Sequence, residues 1–238
     1  MSLYNYIYRR KSVRNYKDEP LSDNRLDKIK EVIGSFAPLY PDIPLSYRFE
    51  TKAKGLLKSK APHYLVISGQ GKEGELENAG FIYQQLDLWF SSNNIGSIWL
   101  GGAKAAEKQS SDIIMIAFGK TDSVHRGELE FKRKPIESIT NDITNECMKA
   151  VRLAPSGINM QPWYFEKTDD KIIVYEQVLK PPVSLVYKLT ALDIGIALCH
   201  YSIACEHFGK QFNFNRIRNG ESSKKNYRLF GEIASDYS

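Results

Sequence analysis

Two stretches of this 238-residue chain resemble each other at a spacing close to 116 positions, and that repetition restricts the folds open to it more than any other feature. In Asn78–Asn94 the apolar residues Ile82, Leu86, Trp89 and Phe90 fall at helical spacing. In Leu192–Gly209 Ile194, Ala197, Leu198, Tyr201, Cys205 and Phe208 do the same. Each segment begins polar–apolar–Gly (Asn78-Ala79-Gly80, Asp193-Ile194-Gly195), and each runs into a short aromatic segment, Ser97-Ile98-Trp99 or Phe212-Asn213-Phe214. Upstream, Ile29–Ser35 leads to Ala37-Pro38 as Cys147–Leu153 leads to Ala154-Pro155. Proline disfavours helical geometry in the residue before it, so both segments are expected to end as helices there. Phe49-Glu50 and Phe165-Glu166 add a third match. The pattern predicts one unit present twice, with halves near 1–137 and 138–238 joined through Lys132–Asn141, in a single domain spanning 1–238.

Between the helices, Tyr64–Ser68, Ile113–Gly119, Trp163–Lys167 and Ile172–Glu176 read as strands. The last two flank Thr168-Asp169-Asp170-Lys171, a hairpin turn. Long helices among mostly antiparallel strands predict the α+β class. The stretch 218–226 is polar enough to be a mobile tail.

A chain of this length can bury roughly 70–75% of its unfolded surface, ample for a substantial core. No apolar run approaches the ~20 residues of a membrane span, and Met1–Arg9 lacks the pattern of a secretion signal. Three widely spaced cysteines (Cys147, Cys199, Cys205) and four histidines signal neither a disulfide framework nor a metal site. A cytoplasmic, reduced protein is expected. The net charge of +5 gathers at 9–17 and 224–228 without interleaved aromatics, which favours one bound phosphate group on a solvated surface over nucleic acid.

Two motifs carry chemistry. Arg9, Arg10 and Arg14 offer planar, permanently charged forks suited to a phosphate dianion, and Ser12 adds a hydroxyl donor. Far downstream lies Ala154-Pro155-Ser156-Gly157-Ile158-Asn159-Met160-Gln161-Pro162-Trp163. There Pro155 ends a helix, Gly157 permits a planar ring to approach, and the Asn159 amide presents a donor and an acceptor suited to the pyrimidine edge of a flavin. A formal Gly69-Gln70-Gly71-Lys72-Glu73-Gly74 fingerprint also follows a strand, but no acidic residue or second strand–helix unit comes at the distance that dinucleotide binding requires, so a flexible loop is expected. Gly119-Lys120-Thr121 lacks the earlier glycine of a P-loop, because Ile114 stands there.

Taken together, Arg-Arg-x-Ser-x-Arg-x-Tyr at Arg9–Tyr16, followed by Pro20-Leu21-Ser22, and Ala-Pro-Ser-x-x-Asn-x-Gln-Pro-Trp at Ala154–Trp163 resemble the two halves of the flavin site in FMN-dependent nitroreductases. Asn94–Gly102 resembles that family's Gly-Leu-Gly-x-x-Trp-x-Gly segment, where the backbone (Ile95 and Gly96 here) passes the phosphate end of the cofactor. Lys132–Glu137 resembles its basic-Pro-Leu-Glu segment, with Arg133 as a further phosphate contact. The resemblance thus implies FMN held by Arg9, Arg10, Ser12, Arg14, Ile95, Gly96, Arg133, Pro155, Ser156, Gly157 and Asn159. No catalytic side chain is implied, because the flavin carries the reaction.

The departures from the pattern are informative. Family members are typically homodimers in which each site combines the basic motif of one subunit with the Asn-bearing loop of the other. Here the first half keeps the basic motif, but its loop reads Ala37-Pro38-Leu39-Tyr40-Pro41-Asp42. The second half keeps the loop, but acidic and polar Ser138–Asn145 precedes it. The resemblance therefore implies the duplicated, single-chain form of the family: a monomer acting as a pseudo-dimer with one surviving site. The activity implied is NAD(P)H-driven reduction of a small electron-poor acceptor such as a nitroaromatic or quinone, the alternative being a non-catalytic flavin-binding protein.

Overall fold

The computed structural model describes residues 2–55, 59–217, 220 and 222–234. Helices α1 (Tyr4–Ile7) and α2 (Asp23–Ser35) precede strands β1 (Ser46–Glu50), β2 (Ala53–Lys54) and β3 (His63–Ser68). The long helix α3 (Glu75–Ser92) leads to β4 (Gly96–Leu100), β5 (Lys104–Ala105) and β6 (Asp112–Gly119). Helix α4 (Glu146–Arg152) opens the second half, followed by β7 (Trp163–Lys167), β8 (Lys171–Gln177), α5 (Val183–Val186), the long α6 (Thr190–His207), β9 (Phe214–Arg216) and β10 (Tyr227–Ala234).

The strands form two four-stranded antiparallel sheets, ordered β1-β3-β6-β4 and β7-β8-β10-β9, with β2 and β5 as a separate pair. Within each sheet the spatial order is first, second, fourth, third, and in each the long helix connects the second strand to the third. The expected duplication is therefore written in the topology, and the α+β class holds. Alternation explains β7, where Trp163 and Phe165 turn inward while Tyr164 and Glu166 are half-buried.

The two long helices pack against each other at the centre, and both are buried along most of their length. Two glycines permit it. A Cβ on Gly80 would overlap the Leu192 carbonyl, and one on Gly195 would overlap the carbonyl of Glu77. Glu77 and Leu192 stand in the same register as Gly80 and Gly195, so the contact is reciprocal about an approximate two-fold axis. A second reciprocal pair sits at the helix starts. The Asn78 Oδ1 accepts from the backbone of Leu39 and Tyr40 (2.9 and 3.1 Å), and Asp193 Oδ1 accepts from Gly157 N at 3.0 Å. Each long helix thereby holds the loop that follows the preceding helix of its own half.

Several sequence expectations change at their edges. Helix α2 begins at Asp23, well before Ile29, and α3 and α6 start two or three residues earlier than the apolar periodicity suggests. Strand β10 falls where no strand was expected, because a register shift between Leu229 and Gly231 interrupts its alternation. Of the polar stretch 218–226, positions 218, 219 and 221 lie outside the described residues. The loop Gly69–Gly74 is pinned rather than flexible: the buried Glu75 carboxylate accepts from Gln70 N and, at 2.9 Å, from Gly71 N. A carboxylate of the protein itself fills the backbone nest that a dinucleotide phosphate would need.

Candidate functional site

The amino-terminal segment runs along the edge of β4, with Val13 N donating to Ser97 O at 2.9 Å and a bridge between Ser12 and Ser97. This course carries Arg10 into the interior. Its side chain is 1% exposed, and its Nε lies 2.8 Å from Oδ2 of the fully buried Asp87 on α3. Arg10 Nη2 donates to Ser12 Oγ at 3.1 Å, while its Nη1 is buried with no protein hydrogen-bond partner. Asp87 also accepts from Ser97 Oγ (2.6 Å) and Gln84 Nε2 (3.2 Å). Gln84 in turn pairs with His200 of α6 at 3.0 Å, and His200 Nδ1 donates to Ala150 O at 3.0 Å. Burial drives the His200 pKa down to about 3, so the ring is neutral and bridges the halves as donor and acceptor.

Further arginines surround this network. Arg126 donates from Nε to Arg10 O at 2.9 Å, and its guanidinium lies over the ring of buried Phe131 at 3.9 Å. Arg133 donates to Asn159 Oδ1 at 2.7 Å and to Leu153 O at 3.2 Å, while its Nε is buried and without a partner. Burial, reinforced by the charges of Arg10, Arg126 and Arg152, holds the Arg133 pKa down to about 9. Arg126, also limited first by burial and then by Arg10, is lowered to about 10. Several like charges crowd a partly desolvated region in which Asp87 is the carboxylate paired with Arg10. Like charges held this close and partly desolvated repel one another, and an added anion would offset that repulsion.

The downstream loop meets the same cluster. Pro155 is buried behind α4, and Gly157–Asn159 form a 3-10 turn. Ile158, Asn159 and Gln161 all adopt left-handed backbone (φ 47°, 59° and 48°), a costly conformation for non-glycine residues and most of all for β-branched Ile158. The turn is held by its own side chains and by residues 132–134. Ser156 Oγ accepts from Gln161 N at 2.8 Å, and Gln161 Oε1 accepts from Lys134 N at 2.9 Å. Opposite, Tyr187 leans over the turn so closely that a Cβ on Gly157 would overlap its hydroxyl. That hydroxyl donates to Asp193 Oδ2 at 2.6 Å. Burial raises the Asp193 pKa to about 8, against the lowering effect of the Tyr187 and Gly157 hydrogen bonds.

The sequence-derived residues thus separate into groups. Arg10, Ser12, Arg133 and the loop of Pro155, Ser156, Gly157 and Asn159 are linked through the arginine cluster. The side chains of Arg9 and Arg14 are exposed, and Arg9 meets the cluster through its carbonyl, which accepts from Arg126 N at 2.8 Å. Ile95 is buried, and the missing Cβ of Gly96 makes room for Val13 and Thr121, so its packing explains the glycine without a ligand. Asn159 departs most from expectation: its amide oxygen is taken by Arg133 and its amide nitrogen donates to Lys132 O at 2.7 Å. Sequence reasoning missed Asp87, Arg126 and Tyr187. Asp87 had a visible signal, a lone carboxylate between Leu86 and Leu88; Arg126 and Tyr187 sit in stretches with no motif. Among the described residues, no helix is long and apolar enough to cross a membrane.

A family model described as "Putative TM nitroreductase" matches residues 2–205. Among solved structures, the chain is similar to a "putative nitroreductase" from Thermotoga maritima, with 19% identity and a TM-score of 0.70 over 100% of this chain and 95% of that one. A nitroreductase family protein from Clostridium difficile aligns at 14% identity and a TM-score of 0.46 with 58% of this chain and 96% of its own. An FMN-dependent nitroreductase from the same species aligns at 17% identity and a TM-score of 0.43, with 55% of this chain and 96% of its own. No curated protein matches. The Thermotoga match, whose coverage is nearly complete on both sides, shows the shared fold.

Proposed function

Because the chain belongs to this nitroreductase family, we propose that it is an FMN-dependent oxidoreductase that takes electrons from NAD(P)H and passes them to a nitro compound, quinone or similar electron-poor small molecule. The observation that carries the reading is the pair of buried, unpartnered guanidinium nitrogens, Arg10 Nη1 and Arg133 Nε, in an over-charged cluster beside the 154–161 loop. A phosphate dianion fits that donor set: it would supply acceptors for both and offset the mutual repulsion of the arginines.

Arg10 and Arg133 would hold the phosphate, with Ser12 and Arg126 beside them. Asp87 keeps Arg10 in one orientation. Asn159 acts through Arg133, fixing the fork by a 2.7 Å bond rather than offering its amide to the ring. The strained turn exposes Ile158, 76% accessible, while the space beside Gly157 is taken by Tyr187, so the exposed Ile158 is the part of the turn open to a planar ring. Bound FMN would supply the two-electron redox chemistry. Basic residues and loop come from different halves of one polypeptide, so we propose a monomer with one FMN, needing no second copy, nucleic acid or membrane.

The full occupation of the Asn159 amide favours a second reading, a flavin-binding protein that does not turn over. Anaerobic addition of NADH or NADPH to the FMN-loaded protein separates the two. Bleaching of the flavin absorbance supports the oxidoreductase; bound but unbleached flavin supports binding alone. A protein that FMN neither colours nor stabilises thermally contradicts both.

A further inference from the structure

We propose that Cys147 and Cys205 form a peroxide-reactive thiol pair that closes to a disulfide between α4 and α6, a modification site independent of the flavin reading. The two sulfurs lie 3.9 Å apart, with the Cys205 thiol donating to Cys147 Sγ. Both residues are buried and reduced, on helices that pack directly against each other. A disulfide requires about 2.05 Å between sulfurs, so closure asks for a shift of roughly 1.9 Å, within the reach of side-chain rotation and slight helix movement.

At the start of α4 lies a cavity of about 470 Å³ lined by Asn145 and Glu146, which precede Cys147, and by Phe208 and Lys210, which follow Cys205. It gives a molecule as small as hydrogen peroxide a place to stand next to α4. The environment also distinguishes the two sulfurs. The hydrogen bond from Cys205 favours the Cys147 thiolate, with Lys210 assisting and burial, Glu146 and Asp142 opposing. Cys205 is pushed the other way, first by that same hydrogen bond and then by burial. Cys147 is therefore the attacking sulfur and Cys205 the resolving one.

The chemistry balances with a peroxide as oxidant. The Cys147 thiolate attacks one peroxide oxygen; an S–O bond forms, the O–O bond breaks, and the leaving hydroxide takes a proton to become water. Cys205 sulfur then attacks the Cys147 sulfenic acid; an S–S bond forms, the S–O bond breaks, and the departing hydroxide takes the Cys205 proton. Two thiols lose two electrons, and one peroxide becomes two waters. The bridge would fix α4 to α6 shortly before Leu153, whose carbonyl receives Arg133. Cys199, fully buried and pushed well up by burial, serves as an internal control.

The test exposes the full-length protein to excess hydrogen peroxide, quenches it, denatures it and alkylates it with iodoacetamide. Reduced protein carries three alkylatable thiols. The expected outcome is a fall to one, mapped to Cys199, with a mass loss of about 2 Da before alkylation and full recovery with dithiothreitol. In Cys205→Ala, a dimedone adduct should appear on Cys147 in place of the bridge. Three thiols surviving peroxide that oxidises an exposed model thiol would overturn the proposal. So would over-oxidation of Cys147 with Cys205 still alkylatable. Should Cys205→Ala fail to fold, the thiol count of the natural protein still decides.

Discussion

Replacing Arg133 with methionine should move stability in opposite directions according to whether FMN is present. The guanidinium is held from its ordinary value down to about 9, first by burial and then by neighbouring arginines. It is protonated in both folded and unfolded chains below about pH 9. The penalty for keeping it charged in the fold is therefore complete at pH 7, and it fades only as pH rises from about 9 towards the ordinary guanidinium value. At ~1.4 kcal/mol per pKa unit, the cost is about 3–5 kcal/mol. Hydrogen bonds offset part of it. Those to exposed Lys132 and Asn159 are replaced by water when Arg133 is lost, which leaves about 1.5 kcal/mol for the bond to Leu153. Methionine fills similar length without charge, so the ligand-free variant should gain about 1.5–3.5 kcal/mol. For a chain of this size, that raises Tm by roughly 3–8 °C. With FMN at a hundred times its Kd, the natural protein gains about 2.7 kcal/mol. Loss of one charged hydrogen bond, about 1.5–3 kcal/mol, should leave the variant about 0.3–1.3 kcal/mol of stabilisation at the same FMN concentration. Differential scanning fluorimetry at pH 7 with and without FMN reads both effects. A variant that melts lower without ligand yet gains as much from FMN would refute the cluster as a pre-charged anion site.

Asn159→Ala should weaken FMN binding about as its loss of grip on Arg133 dictates, by roughly 1 kcal/mol in an equilibrium titration, because the amide acts through the guanidinium; an unchanged Kd with slowed flavin reduction would return the amide to the ring. Asp193→Asn should gain stability relative to the natural protein as pH rises from about 4 to 8. The Asp193 carboxyl is neutral in the fold up to about pH 8 but ionises in the unfolded chain from about pH 4, so the natural protein loses stability across that window. Paired Tm curves that stay parallel over that range would contradict this. Gly80→Ala or Gly195→Ala should each cost about 2 kcal/mol or more in urea unfolding, because the new methyl meets the carbonyl of the facing helix; a neutral substitution would mean the helices are not so closely apposed.

Much of the architecture was legible in the residues because it rests on strong local signals. The aromatic–polar alternation of Trp163–Lys167 marks β7 to its ends, and the apolar spacing of Ile194–Phe208 marks α6. The glycines of the two repeated openings marked the duplication, whereas the helix contact they permit emerges only in the structure. Strand β10 stayed hidden because the register shift between Leu229 and Gly231 breaks the alternation, and its place is fixed by pairing on both sides with β8 and β9. Within the candidate site, Arg10, Arg133 and the loop were legible from motif. Their relation was not. Arg133 reaches Asn159 across a gap of 26 residues, and Tyr187 covers Gly157 from a connection that has no counterpart of its length before α3. Such contacts follow from the packing of the halves, which no local pattern encodes. Exposure of Arg9 and Arg14 also depends on the surrounding fold: Arg9 lies in the turn that follows α1, and Arg14 follows buried Val13 in the extended stretch along β4.

The central claim is that Arg10, Arg133 and the 154–161 loop form one flavin phosphate site in a single chain. Titrating cofactor-free protein with FMN, following flavin fluorescence, and repeating the titration in Arg10→Ala tests it most directly. The account expects saturation at one FMN per 27.2 kDa chain, loss of at least tenfold in affinity for the variant, and competition by inorganic phosphate. Two flavins per chain, or binding of equal strength after Arg10 is removed, would contradict it.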